Sequence, residues 1–355
     1  MFLSIKEMKK NKLRYGLIGS VIILIAYLIF VLTALANGLS SSNRQAIDTW
    51  NASNIVLNAD ANGSLTQSTL TNRQSKSIKA GKNRANITQL SANVQNLKKG
   101  DKTGVQILGI NKQQYIYNDL NIVKGRKFKN AKEVVVDQNL INENHYHLGQ
   151  LITMGNNSPK FKIVGVTKNA KLNVAPVIYG AENDIQAFKF GNNKIKNISA
   201  IVTKDKVTNV ASGTQVLSIN DFIQKLPGYS AQNNTFTFMI VFLLLITLFI
   251  IAIFLYVLTM QKIPFFAVMK IQGIANSYLI KNIISQAVII SVIGVAISGG
   301  LTLITALLMP AAVPMTFNMM LILGTALLLV VMAIIGSIIP MRTVTKIDPA
   351  TVIGG

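Results

Sequence analysis

The run "FTFMIVFLLLITLFIIAIFLYVLT", Phe236 to Thr259, contains no charged side chain. As a helix rising about 1.5 Å per residue it reaches across a hydrocarbon core of about 30 Å. A stretch this long and this apolar reads as a membrane span, and the rest of the chain is placed around it. Three further runs meet the same test: Leu17 to Ala36, Ile283 to Leu308 and Met319 to Ile339. The composition agrees, with half of the 355 residues hydrophobic and a mean hydropathy of +0.42. The spans carry no charge, which argues against an ion or proton pathway through them.

Between the first two spans lies a polar stretch, Asn37 to Thr235, large enough to hold its own core. The expected fold is a membrane protein with four transmembrane α-helices plus an extracytoplasmic α+β domain inserted between helices 1 and 2. The expected divisions are an amphipathic helix (1–15), a first span (16–36), the inserted domain (37–235) and a second span (236–259). A cytoplasmic segment (260–282), a third span (283–308), an outer loop (309–318), a fourth span (319–340) and a tail (341–355) follow.

Orientation follows from basic residues in the short flanks. Lys6, Lys9, Lys10, Lys12 and Arg14 precede the first span, Lys262, Lys270 and Lys281 separate the second from the third, and Arg342 and Lys346 follow the fourth. The loop "MPAAVPMTFN" (309–318) has no charge. A multi-pass protein of the cell membrane is expected, with both termini cytoplasmic and the large domain outside. Ala34-Leu35-Ala36 fits a signal-peptide cleavage pattern, but the apolar run before it is long for one, so an uncleaved helix is expected.

Of the 35 Lys+Arg, ten lie in those flanks, and of the 13 Asp+Glu only Glu7 and Asp348 do. The inserted domain therefore carries about +14, which is either a generally basic surface with no specific ligand or a field that attracts lipid headgroups, wall polymers or an anionic ligand; no nucleic acid partner is expected for a domain outside the cell. With no cysteine in the chain, the domain is held by its core and not by disulfides.

In residues 2–15, Phe2, Ile5, Met8, Leu13 and Tyr15 fall on one helical side, and Lys6, Glu7, Lys10, Asn11 and Arg14 on the other, as in a helix lying at an interface. Strands are expected at 54–59, 105–110, 133–137, 150–155, 160–167, 175–180 and 198–203. Residues 62–86, rich in Ser, Thr, Asn, Lys and Gln, read as a loop or mobile lobe, and "NDIQAFKFG" as helical or irregular. The pairs Gly16/Ser20 and Ala296/Gly300 suit close helix packing.

No catalytic constellation emerges. Gly104 to Gly109 has phosphate-loop glycine spacing, but Ile110-Asn111 stand where Lys-Ser/Thr are required. His145 and His147 would share a side if on a strand, with Glu143 continuing the alternation, yet one acid and no cysteine make a poor ligand set, and no metal site is expected. Trp50 and Tyr229 flank the spans and suit interfacial anchors. Met239 and Met260 are packing residues or soft contacts.

The segment "QKIPFFAVMKIQGIANSYLIKN" (261–282) is too polar to span and too apolar for a plain loop. Pro264 suits a first helical turn and Gly273 a helix end, with Asn276 or Ser277 capping the next helix. Ile263, Ala267, Ile271 and Ile274 share one face, with Phe266 at its edge and Lys270 intruding.

This segment resembles the cytoplasmic coupling segment of the FtsX/MacB-type ABC transporter permease family. "KIDPATVIGG" (346–355) is similar to the family's Lys-x-Asp-Pro tail. "EVVVDQNLINENHYHLGQLITM…FKIVGV" resembles its strand-helix-strand core, and the order of parts matches over the whole chain. Phe266 or Ala267 stands where the family commonly has an acidic residue. The resemblance implies a non-enzymatic permease, homodimeric, working with a separate cytoplasmic ATPase that binds ATP. Pro264, Phe265, Phe266, Lys270 and Gly273 would be its coupling residues. The short tail and the "MPAAVP" turn are most similar to haem-exporting members, which implies haem as substrate rather than resident cofactor. The expected pocket lies between the first two spans, with Tyr27, Asn37, Trp50 and Tyr229 as binding residues. The rival expectations are another lipophilic toxin or peptide as cargo, or FtsX-like signalling to a cell-wall hydrolase.

Overall fold

The computed structural model describes residues 2–96, 102–155, 159–192, 194–310 and 313–348. Ala311 and Ala312 of the "MPAAVP" turn, and Pro349 onward of the tail, lie outside the described residues. The chain divides into two compact units, one formed by residues 1–38 and 233–355, the other by residues 39–232.

The first unit is helical: α1 (Phe2–Lys10), α2 (Lys12–Thr49, whose later turns belong to the other unit), α8 (Tyr229–Met260), α9 (Ile263–Ile271), α10 (Asn276–Leu308), α11 (Met319–Gly336) and α12 (Ile338–Thr345). Among the described residues α2, α8, α10 and the stretch Met319–Thr345 are long and apolar enough to cross a membrane. Three of these helices, α2, α8 and α10, outrun their apolar segments. α2 continues through "NGLSSSNRQAIDT" because helical hydrogen bonding does not require hydrophobicity, and the Arg44–Asp48 pair at 2.7 Å braces its last turns.

Packing among these helices does not use the small-residue pairs suggested by spacing. Gly16 and Gly300 have open space where a Cβ would stand. The close approaches are at Gly294, where a Cβ would come within 2.8 Å of Ile22, and at Gly336, within 2.9 Å of the Leu248 carbonyl. Ser298, one turn beyond Gly294, donates to the Ile23 carbonyl at 2.8 Å and binds α10 to α2.

Among its described residues the second unit holds an eleven-stranded mixed sheet. Its strands are β1 (Asn54–Asn58), β2 (Arg84–Asn96), β3 (Lys102–Ile110), β4 (Ile122–Gly125), β5 (Glu133–Asp137), β6 (Leu151–Met154), β7 (Lys160–Thr167), β8 (Lys171–Leu172), β9 (Ala175–Ala181), β10 (Ala200–Thr203) and β11 (Thr214–Ser218). The order is β11-β1-β10-β2-β3-β9-β5-β7-β4, with β6 pairing β2 and β7, and β8 pairing β9. Among the described residues only β3–β9 and β5–β7 run parallel. Short helices decorate it: α3 (Asn72–Ser77), α4 (Tyr115–Asp119), α5 (Gln138–Asn142), α6 (Glu182–Phe190) and α7 (Ile219–Gln224). Within the supposed loop 62–86, α3 forms because Thr71 and Gln74 make a reciprocal capping box.

The glycine spacing at Gly104 and Gly109 belongs to β3 and serves packing. A Cβ on Gly109 would come within 2.8 Å of Ile185, so its absence lets α6 lie against the sheet. His145 and His147 are exposed in a turn on either side of buried Tyr146.

An acid clasp closes the turn before β5. Glu133 accepts two hydrogen bonds from the Arg126 guanidinium at 2.8 and 2.6 Å, and backbone N–H bonds from Lys129 and Asn130 at 2.8 and 3.1 Å. The Arg126 bonds first, then the backbone donors, hold its carboxyl well below the usual carboxylate range. A depressed folded-state value contributes stability that is complete above the ordinary glutamate value of about 4.3 and is lost as pH falls through the lower folded value. Glu133→Gln is therefore expected to lower the melting temperature at pH 7 and to flatten the acid limb of the stability curve. Unchanged melting at pH 7 would show that the clasp carries no stability.

Candidate functional site

Two features of the helical unit have the character of a site. The first is an apolar groove of about 530 Å³ between α2 and α8, lined by Leu28, Leu32, Thr235, Phe238, Met239, Phe242 and Leu243. Leu28 and Leu32 are one turn apart on α2. Thr235, Phe238, Met239, Phe242 and Leu243 follow the i, i+3, i+4, i+7, i+8 pattern of one α8 face. Phe238 and Phe242 are 65% and 60% exposed, so two aromatic faces are presented without a covering side chain. Such a surface holds a flat apolar molecule by dispersion and aromatic contact, with Met239 adapting its shape.

The four residues proposed from sequence as binding groups stand elsewhere. Tyr27 shares a 2.9 Å hydrogen bond with Thr305 of α10. Asn37 donates to the carbonyl and hydroxyl oxygens of Thr316 at 3.2 and 3.1 Å. Trp50 is 1% exposed and Tyr229 is 4% exposed, both within the core of the sheet unit, where Tyr229 pairs with Ser40 at 2.9 Å. None of the four lines the groove, and Trp50 has no surface left to act as an interfacial anchor.

The groove lies between the first two spans, where a pocket was expected, but its lining residues were not legible because the run Phe236–Thr259 of α8 is apolar on every side. A face is recognised by contrast with its opposite, and an all-apolar helix supplies none.

The second feature is α9. Pro264 occupies its first turn, where a missing N–H costs nothing. Its end is a Schellman motif: Gly273, at φ 83°, donates to the Lys270 carbonyl at 3.0 Å, and Ile274 to the Met269 carbonyl at 3.1 Å. The next helix starts at Asn276 with Ala275 in the capping position and no side-chain cap, so the Asn276 or Ser277 cap expected from sequence does not form.

The buried face also differs from the expected one. Phe266, Ala267 and Met269 are buried, with Phe266 and Met269 packing beside Leu279, Ile283 and Val344. Ile271 is 63% exposed and shares an outward stripe with Phe265 and Val268. Lys270 is turned inward and donates to the Thr345 and Ile347 carbonyls at 3.1 and 3.0 Å, at the negative end of α12. Of the five residues expected to couple to an ATPase, Phe265 thus presents its ring outward, while Phe266, Lys270, Pro264 and Gly273 shape and hold the helix.

Comparison with known proteins places these features in context. Residues 17–220, more than half of the chain, match the model of the MacB-like periplasmic core domain, and residues 237–349 match the FtsX-like permease C-terminal model. A protein of Staphylococcus epidermidis named "Putative hemin transport system permease protein HrtB" is 24% identical over 100% of this chain and 99% of its own. Its namesake from Staphylococcus haemolyticus is likewise 24% identical, again over 100% and 99% of the two chains. The solved extracellular domain of the ABC-type transporter YknZ from Gram-positive bacteria covers 47% of this chain and 98% of its own at 14% identity, with a TM-score of 0.33.

Proposed function

The chain belongs to the FtsX/MacB-type permeases of ABC transporters, and from that premise we propose that it exports a flat lipophilic cargo, haem foremost, taken from the outer membrane leaflet. The groove between α2 and α8 carries this reading. Its lining is apolar apart from Thr235, so it suits the porphyrin face, and the net positive charge of the inserted domain by itself favours an anionic cargo. Relatives named for hemin transport share the full length of the chain. Uncharged spans fit a cargo that never crosses a polar pore.

The basic flanks support an orientation with both termini and α9 in the cytoplasm and the sheet domain outside. A separate ATPase supplies the energy, seated against the stripe of Phe265, Val268 and Ile271 on each of two copies of this chain. Closure of the ATPase pair then tilts the helices and alters the groove. This is mechanical coupling and requires no catalytic residue here.

Titration of the full chain in lipid nanodiscs with haemin, followed at the Soret band, tests the reading. The wild type is expected to give a saturable shift. Leu28→Trp, which fills the groove, is expected to weaken binding about tenfold or more, corresponding to about 1.4 kcal/mol. Tyr27→Phe, which removes only the bond to Thr305, is expected to bind normally. A shift no greater than that of empty nanodiscs would remove haem as the cargo and leave other lipophilic cargo, or signalling to a wall hydrolase, in its place.

A further inference from the structure

The N-terminal helix, read from sequence as lying at an interface, buries a face that takes residues from both of its expected sides. Ile5 and Leu13 are 45% and 78% exposed, whereas Ser4 and Tyr15 are buried, and Glu7, Met8 and Asn11 are partly so. These five lie at helical spacing on one face. The inward face thus carries a carboxylate, and its partners come from distant parts of the chain. Lys262, one residue ahead of α9, donates to Glu7 at 2.8 Å and to the Tyr15 hydroxyl at 3.2 Å. Gln286 of α10 donates to the same Glu7 oxygen at 2.5 Å and accepts from Tyr15 at 3.0 Å. Ser4 donates to the Asn282 side chain at 2.6 Å, and Arg14 donates to Gln261.

A closed ring of four polar groups therefore joins α1, the start of α2, the entrance to α9 and α10. The side chains of Lys262 and Glu7 are 19% and 13% exposed. A charge this shielded is costly to leave alone, so removing one member strands the other. Lys270 does the equivalent for the other terminus through its bonds to the Thr345 and Ile347 carbonyls. Two of the three lysines of segment 261–282 are thereby committed to internal contacts.

We propose that Glu7 and Lys262 are positioning residues that fasten the N-terminal helix to the coupling helix, so that the two move as one body. That this body transmits ATPase motion rests on the permease reading above; the fastening itself does not. Without the ion pair, α1 keeps an exposed apolar side and can settle independently at the membrane surface. With it, displacement of α9 carries α1 and the base of α2 along.

The absence of cysteine from the chain permits a direct test. Spin labels at Lys9→Cys and Gln272→Cys, both exposed positions, report the α1–α9 distance in nanodiscs by double electron–electron resonance. Labelled chain is diluted with unlabelled chain, and neither ATPase nor haemin is present. The expected result is one narrow distance peak in the otherwise unaltered chain and a broadened distribution, at least twice as wide, in Glu7→Gln. The double variant Glu7→Lys with Lys262→Glu should narrow it again, because Tyr15 can donate to the new carboxylate and Gln286 can turn its amide oxygen to the new ammonium. An unchanged distribution in Glu7→Gln overturns the proposal. So does a double variant as broad as the single one, which would show that polarity at these positions matters and the charge pairing does not. Failure of haemin to bind would leave this result unaffected, so the two readings fall separately.

Discussion

Replacing Trp50 with alanine is expected to cost about 3–5 kcal/mol of stability in the sheet domain. The indole is 1% exposed and sits in one cluster with Ile55, Leu57, Tyr179, Val202 and Phe222. Truncation leaves a void that rigid strands cannot close, so the lost burial and the cavity add. Thermal unfolding of the full chain followed by far-UV circular dichroism measures it, since Trp50 is the only tryptophan and its fluorescence leaves with it. If the indole instead contacted cargo, the variant would melt like the wild type and lose haemin binding. That outcome would contradict its placement.

Gly38→Ala is expected to detach the loop that holds Pro314 and Thr316 from α2. The obstacle is space, because φ here is ordinary. A Cβ would stand 1.8 Å from the Pro314 carbonyl oxygen, 2.5 Å from its carbon and 2.9 Å from the Thr316 nitrogen. All three are backbone atoms, which no rotamer change can move aside. Overpacking of this kind costs about 1–3 kcal/mol, and displacement of the loop is the ready escape. The bond from the Thr316 N–H to the Ala34 carbonyl, at 3.2 Å, and the Asn37 contacts to Thr316 would be lost with it. Hydrogen exchange at 313–318 should rise strongly in Gly38→Ala and not in Gly299→Ala, where a Cβ meets nothing within 4 Å. Equal protection in both would mean that the loop is not held there.

The parts of this protein that were legible share a physical cause. Membrane spans announce themselves because the bilayer imposes one requirement, length without charge, on consecutive residues. The buried strands "EVVVD" and "FKIVGV" are visible for a related reason, as their apolar runs are local. β2 was missed although it is the longest of the described strands. "RANITQLSANVQN" is mostly polar, and its strand state is decided by β10, β3 and β6 pairing along it. β4, β8 and β11 are short and equally dependent on neighbours.

Site residues divide the same way. The short helix of segment 261–282 could be found from its lysines, Pro264 and Gly273, since turn and cap chemistry is local. Which of its faces is buried could not, because Phe266 and Ile271 are alike as letters. Only packing against Leu279, Ile283 and Val344 turns one inward and leaves the other 63% exposed. Likewise Trp50 and Tyr229 look like interface aromatics from their place beside the spans, and it is the sheet's core that takes them in.

By itself, then, the sequence determined that four apolar helices bracket one large basic domain, and that a short capped helix separates the second and third. Those features depend on composition and on contacts a few residues apart. Tertiary structure alone decided that Glu7 meets Lys262, that Gly38 makes room for the loop at Pro314, and that Phe238 and Phe242 flank a groove. Each of these joins residues brought together by folding across long stretches of chain, or singles out one face among identical ones. Neither kind of information is carried by neighbouring letters.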